Sequence, residues 1–165
     1  MNAATRVQTV DTGYTPRPLQ DIMHARLKRF NVIVCHRRFG KTVFSINEMV
    51  DQAFRCTRVN PQYAYIAPTY GQAERIAWDM LKTYTRNIPG VVYNESKLTC
   101  IIPRAHDRIK IMLLGSENPD SIRGIYLDGV VLDEFAQMDP RVWGQVVRPA
   151  LADRKGWCIF IGTPA

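Results

Sequence analysis

No apolar stretch in this 165-residue sequence approaches the roughly 18–20 residues that a bilayer-crossing helix needs, so no helical membrane span is expected. Histidine is scarce: His24, His36 and His106 stand alone, without metal-ligand spacing, which leaves a histidine-built metal centre without its ligands. The cysteines Cys35, Cys56, Cys100 and Cys158 never form a C-x-x-C pair. Three of them fall in or beside β-rich stretches and read as small buried apolar residues, not as disulfide or zinc partners. That usage fits a reducing, intracellular compartment. Residues 1–20 are polar and proline-containing, without the apolar core of a secretory signal. There is no internal repeat and no low-complexity tract. Acidic residues are in deficit, 15 against 22 Lys and Arg, a formal charge of +7 that favours a polyanionic partner and says nothing about fold.

What is present suits one soluble domain, since domains usually hold about 100–200 residues and 46% of this chain is hydrophobic. Asn31-Val32-Ile33-Val34-Cys35 reads as a short buried strand. From Lys41 to Phe54 the apolar residues Val43, Ile46, Val50 and Ala53 recur at helical spacing. Gln62 to Ala67 reads as a second strand. Thr69 followed by Gln72 is a capping-box signature, opening a helix expected to turn Ile76, Met80 and Leu81 inward. Val91 to Asn94 and Leu98 to Ile102 read as a hairpin, with further strands at Ile109 to Leu114 and Tyr126 to Leu132. Asp139 and Pro140 suit the first positions of a helix reaching Ala152. Trp157 to Ile161 is the last strand. Strands alternating with helices imply an α/β fold, a mostly parallel central sheet with helices on both faces.

Two segments carry chemistry. Cys35-His36-Arg37-Arg38-Phe39-Gly40-Lys41-Thr42 follows a strand and leads into a helix, the setting of a phosphate-binding loop. Backbone N–H groups and the helix start can cradle phosphates there, with Lys41 on the β- and γ-phosphates and the Thr42 hydroxyl on Mg²⁺. Cys35 stands where the strict pattern has its first glycine; alternatively the segment is only a basic helix start. The second is Gly129-Val130-Val131-Leu132-Asp133-Glu134-Phe135, an apolar strand ending in two carboxylates. Buried charge needs pairing or a cation. Asp133 can hold Mg²⁺ and Glu134 can orient or deprotonate an attacking water. Alternatively the pair is an acidic helix start favoured by the helix dipole.

Taken together, these features resemble the ATPase part of phage terminase large subunits. The likeness rests on Arg37 three places before Gly40, on Ser121-Ile122-Arg123-Gly124 ahead of the Asp133-Glu134 strand, and on Gly162-Thr163-Pro164 after the last one. Ile66-Ala67-Pro68-Thr69-Tyr70-Gly71-Gln72 adds to it. The resemblance runs from about Tyr14 to Pro164. Gly-Lys-Thr and Asp-Glu are shared by many translocating ATPases; the arginine placement with Ser-x-Arg-Gly narrows the match.

That resemblance implies a P-loop NTPase of the additional-strand class, binding ATP and Mg²⁺ at the carboxyl ends of its strands. It implies that Tyr14-Thr15-Pro16-Arg17-Pro18-Leu19-Gln20 recognises adenine, by ring stacking and the Gln20 amide, where otherwise a proline-rich entry loop would be read. It puts Thr163 in a coupling motif that senses the γ-phosphate, where the residues alone give only a turn. Arg37 could reach phosphates of its own nucleotide and Arg123 those of a neighbouring subunit; alternatively each is a surface arginine. Tyr70, Trp78 and Tyr84, interleaved with Arg75, Lys82 and Arg86, read as core plus solvated face or as a base-stacking surface.

The implied partners are double-stranded DNA, further copies in a homo-oligomeric ring, a portal protein and a small terminase subunit. The implied place is the cytoplasm of an infected bacterial host, with transient docking on a procapsid. The family's C-terminal nuclease is not in this sequence, so the chain reads as a fragment of 1–165 that does not cut DNA. Two other readings remain open: a helicase-like or chromatin-type translocase, and a nucleotide-binding module made inert by Cys35 and the missing C-terminal part.

Overall fold

The computed structural model describes residues 9–164; the first eight residues of the polar leader and Ala165 lie outside the described residues. Among the described residues seven strands make one sheet in the order β1-β7-β6-β2-β5-β4-β3. These are β1 (Phe30–Val34), β2 (Gln62–Ala67), β3 (Val92–Asn94), β4 (Thr99–Pro103), β5 (Arg108–Gly115), β6 (Gly129–Asp133) and β7 (Trp157–Gly162). Strands β1, β7, β6, β2 and β5 run parallel, and β4 and β3 extend the sheet antiparallel. One strand, β7, intervenes between β1 and β6, the arrangement of the additional-strand P-loop class.

Helices cover both faces. The helices α1 (Pro18–Arg26), α2 (Lys41–Arg55), α3 (Tyr70–Ala73) and α4 (Asp79–Thr85) lie on one side. There α2 buries Phe44, Ile46, Met49, Val50 and Ala53 against Tyr65, Val131 and Ile161. On the other face the helical segment ending in α5 (Arg148–Ala152) closes a second core, with Val146, Val147 and Leu151 packed near Leu132 and Cys158. The expected α/β layering is therefore realised. All four cysteines are free thiols, with Cys100 and Cys158 buried in the sheet. Among the described residues no cluster of metal-ligating side chains occurs, and no helix is long and apolar enough to cross a membrane.

Three expectations need correction. The 31–35 run is not buried on both faces: β1 is the edge strand, with Val32 76% and Val34 60% exposed. The residues alone cannot distinguish an edge from a centre, because both are β-branched runs. Ile76 does not turn inward. A π-helical turn at Glu74–Trp78 inserts an extra residue into the helical repeat, so Ala77 and Trp78 point to the core instead, while Leu81 turns inward as expected and Met80 is partly buried. Strand β6 begins at Gly129 and not at Tyr126. Its predecessor Asp128 is held by Arg154 and accepts from the Gln62 backbone N–H, which fixes the entry to the strand.

Candidate functional site

The parallel strands align their carboxyl ends, because register pairs Val34 with Gly162, Asp133 with Ile161, and Ile66 with Leu132. The loop 35–40, the Asp133-Glu134 tip, Pro68 and Thr163 therefore lie at one end of the sheet. A cavity of about 330 Å³ opens there, lined by Arg37, Gln72, Asp133, Glu134, Gln137 and Thr163 among others.

The loop is shaped by left-handed backbone at Arg38 (φ 67°) and at Gly40 (φ 86°), the N-cap of α2. Phe39 N–H closes a tight turn onto the His36 carbonyl at 3.3 Å. A side chain at position 40 would be strained by that φ and would also meet the Gln20 amide nitrogen at 2.9 Å. Glycine is therefore required here. At position 35 it is not: Cys35 continues from β1, its N–H donating to the Gly162 carbonyl at 3.2 Å, a contact any residue except proline can make. The departure from the strict glycine pattern leaves the loop's geometry intact.

Lys41 Nζ donates to the Cys35 carbonyl (2.8 Å) and to the Thr163 hydroxyl (3.0 Å). Thr163 in turn donates to Glu134 Oε1 at 2.9 Å. Loop, last strand and carboxylate pair thus form one hydrogen-bonded line. Asp133 is 4% exposed, and its carboxyl is held above the ordinary range, first by burial and then by the charge of Glu134. Tyr65 and the Glu134 backbone N–H hydrogen-bond the same carboxylate and pull the other way. Glu134 follows in left-handed backbone (φ 49°, ψ 47°), which breaks the strand and turns its carboxylate toward the cavity.

The segment before the sheet is tied to the loop. Gln20, 3% exposed, accepts from the Arg17 backbone N–H at 2.9 Å and donates to the carbonyls of Phe39 (3.4 Å) and Gly40 (3.2 Å). Arg17 Nη1 reaches the Arg38 carbonyl at 3.2 Å. The Tyr14 hydroxyl meets Gln20 at 3.4 Å and His24 at 2.9 Å. His24 continues to the buried Glu48 of α2. The sequence signalled the segment but not the helix α1 that carries Gln20, nor that the Gln20 amide is engaged by the loop.

Of the expected site residues, Arg37, Asp133, Glu134 and Thr163 line the cavity, and Lys41 joins through Thr163. Thr42 lies against Tyr65, which holds Asp133. Arg123 is elsewhere: it is exposed, follows a short 3₁₀ turn and pairs with Asp120 at 3.4 Å. Tyr65, Gln72 and Gln137 were not expected as site residues. The capping box from Thr69 to Gln72, which is formed, was the available hint for Gln72. Trp78 is in the core, its indole N–H donating to Glu95 at 2.6 Å, so it presents no face for stacking.

Comparison with known proteins gives the same assignment. The large terminase subunit of Thermus virus P23-45 is 29% identical over 92% of this chain and 34% of its own length. This chain thus spans about a third of that curated relative. The solved ATPase domain of the Thermus phage P74-26 large terminase superposes with a TM-score of 0.79 at 27% identity, over 93% of this chain and 67% of that one. A large terminase from another thermophilic bacteriophage, solved in complex with ADP, shares the fold at 20% identity and a TM-score of 0.69, over 88% of this chain and 35% of that one. The family model described as the ATPase domain of the terminase large subunit matches residues 22–164, and the chain belongs to that family.

Proposed function

We propose that this chain is the Mg²⁺-dependent ATP-hydrolysing core of a motor that drives double-stranded DNA into a viral procapsid. The observation that carries the ATPase reading is the line Lys41–Thr163–Glu134, which joins a phosphate-type loop to a strand-tip carboxylate beside an open cavity. Asp133 and Thr42 offer hard oxygen ligands of the kind Mg²⁺ prefers, and two adjacent carboxylates at a buried strand end are stabilised by a cation. The donor set therefore fits. Bound there, Mg²⁺ would neutralise charge on the phosphates and orient them.

The chain's own residues do the rest. Loop N–H groups and Lys41 bind the phosphates, with Lys41 exchanging its Thr163 contact for a phosphate oxygen. Glu134 orients the attacking water and accepts its proton. Arg37, at the cavity wall, stabilises charge on the transferred phosphoryl group. Tyr14, Arg17 and Gln20 set the base end of the site, Arg17 and Gln20 by holding the loop carbonyls of Arg38, Phe39 and Gly40. Membership of the family supports the wider setting: a homo-oligomeric ring, docked on a portal protein with a small terminase subunit, in the cytoplasm of the infected bacterium.

Phosphate release with and without Mg²⁺ and duplex DNA tests this. Turnover that needs Mg²⁺ and rises with DNA is expected. No turnover in a ring-forming preparation sinks the ATPase reading, and strand displacement without translocation turns it into a helicase.

A further inference from the structure

Two residues expected to serve the cation, Thr42 and Asp133, come from different elements and have no reason in sequence to stay in register. Against one of them, Asp133, lies Tyr65, at the middle of β2 and wholly buried. Its hydroxyl donates to Asp133 Oδ2 at 2.5 Å. The geometry follows from the sheet. Tyr65 is registered with Val131 of the neighbouring strand, and Asp133 is two residues further along the same face. A diagonal neighbour of that kind lies about 7–8 Å away, within reach of a long aromatic side chain. Tyrosine spans the gap and ends in a donor; leucine or phenylalanine would span it and end in nothing.

The neighbouring strand positions show how unusual the placement is. Tyr63 is buried on the same face of β2, and its hydroxyl donates to the Gln52 backbone carbonyl, an ordinary structural partner. Tyr65 instead directs its donor to an ionisable side chain at the cavity floor. That bond fixes one oxygen of the Asp133 carboxylate. A ligand held by hydrogen bonds in this way loses less rotamer freedom when a cation arrives.

We propose that Tyr65 is a positioning residue for the divalent-cation site, holding the Asp133 carboxylate in one orientation. The assignment rests on the Mg²⁺-nucleotide reading above. Its effect is on cation affinity through Asp133, not on the nucleotide directly, and that separates it from a core tyrosine whose hydroxyl merely found an acceptor.

The experiment is a titration of fluorescent ATP-analogue binding against Mg²⁺ for the parent chain, Tyr65→Phe, Asp133→Asn and the double variant, with thermal midpoints beside it. In Tyr65→Phe the Mg²⁺ midpoint should rise about 10–100-fold, the usual effect of losing a partner of a metal ligand, while metal-free nucleotide affinity holds. In the Asp133→Asn background, Tyr65→Phe should add less than about twofold, because the route is already cut. An unchanged Mg²⁺ midpoint in Tyr65→Phe overturns the assignment, as does an equal further loss on top of Asp133→Asn. A parent chain whose nucleotide binding ignores Mg²⁺ overturns the cation reading itself, and the assignment with it. If Tyr65→Phe does not fold, a structure of the unmodified chain with Mg²⁺ and a non-hydrolysable ATP analogue decides. The Tyr65 hydroxyl still on Asp133 supports the assignment, and a hydroxyl turned away from it overturns it.

Discussion

The Thr163 hydroxyl donates a 2.9 Å hydrogen bond to Glu134 Oε1 from the end of the adjacent strand, so the carboxylate is aimed by a residue 29 positions away. The same hydroxyl receives Lys41 at 3.0 Å. Thr163 therefore cannot move without Lys41 and Glu134 both registering it. A lysine drawn toward phosphate leaves a hydroxyl that is freer to reorient, and with it the carboxylate. Lys41, which opens the helix after the 35–40 loop, and the Glu134 carboxylate are coupled through one oxygen atom.

That division of labour gives the first prediction. Lys41→Ala should lose nucleotide affinity, since Lys41 meets ground-state phosphate charge. Glu134→Ala should keep Mg·ATP binding and lose turnover by about 10²–10⁴-fold, the usual range for a general base. Thr163→Val should resemble Glu134→Ala in milder form. Calorimetric binding beside single-turnover hydrolysis separates the cases, and equal loss of binding in the Lys41 and Glu134 variants would refute the assignment of roles.

Gln20 makes its polar contacts to the protein: Arg17 and Tyr14 on one side, Phe39 and Gly40 on the other. Gln20→Ala should accordingly loosen the phosphate loop and weaken ATP and GTP together, with a stability loss of about 0.5–1.5 kcal/mol, the usual net worth of a lost hydrogen bond. Competition binding with both nucleotides checks this. A loss confined to ATP would mean that the amide leaves the loop and reads adenine directly.

Far from the site, Arg104 joins two segments, donating to the Cys56 and Arg58 carbonyls at 2.6 Å each and pairing with Asp107 in its own turn. The guanidinium hydrogen bonds hold the Asp107 carboxyl down from its ordinary 3.8 to about 2. A carboxyl depressed in the folded state stabilises it fully above its unfolded value. Here that contribution is present above pH 3.8 and disappears as pH falls through about 2. Asp107→Asn should flatten the acid limb of the stability profile in that window, measured by denaturant melts at stepped pH. An acid limb identical to the parent's would remove Asp107 from the acid response.

Much of this was legible because the informative residues are local. Gly40 between a strand and an amphipathic helix, the Thr69–Gln72 cap, and an apolar run ending in Asp133-Glu134 each declare themselves within a few positions. What was hidden depends on partners distant in sequence. Tyr65 reads as one more aromatic in a strand until register sets it diagonal to Asp133. Ile76 follows a helical repeat that the π turn breaks, and nothing in its neighbours announces a π turn. Gln20 reads as a side chain free for a base until α1 folds it against the loop. Edge position was hidden for the same reason: Val32 and Val34 look like core until the sheet order puts β1 outermost.

Arg123 yields the last prediction. It does not line the cavity that holds Glu134 and Arg37, and its ion pair with Asp120 joins two exposed side chains 3.4 Å apart. Such a pair is worth about 0–1 kcal/mol, too little to hold the arginine back from a stronger anion. Gly124, at φ 77° with open space where a side chain would be, follows immediately, so the Arg123 side chain faces solvent while the preceding Ile122 anchors the loop in the core. A head-to-tail ring would carry that loop to the next subunit's phosphates, since each heterologous interface repeats the same contact. Hydrolysis per subunit should therefore rise with protein concentration, and Arg123→Ala should bind ATP normally yet fail to turn it over. Arginine fingers are worth about 10³–10⁵ in rate, so the loss should be large and not graded. Doped into parent rings, Arg123→Ala should lower activity by more than its own fraction, because each copy disables a neighbour as well as standing in the cycle itself. Arg37→Ala, acting on its own nucleotide, should lower activity in both pure and mixed rings through its own site. The measurement is phosphate release across a dilution series, then across a mixing series. A rate per subunit that holds constant on dilution, with activity falling only in proportion to the doped fraction, would show that Arg123 does not work across the interface.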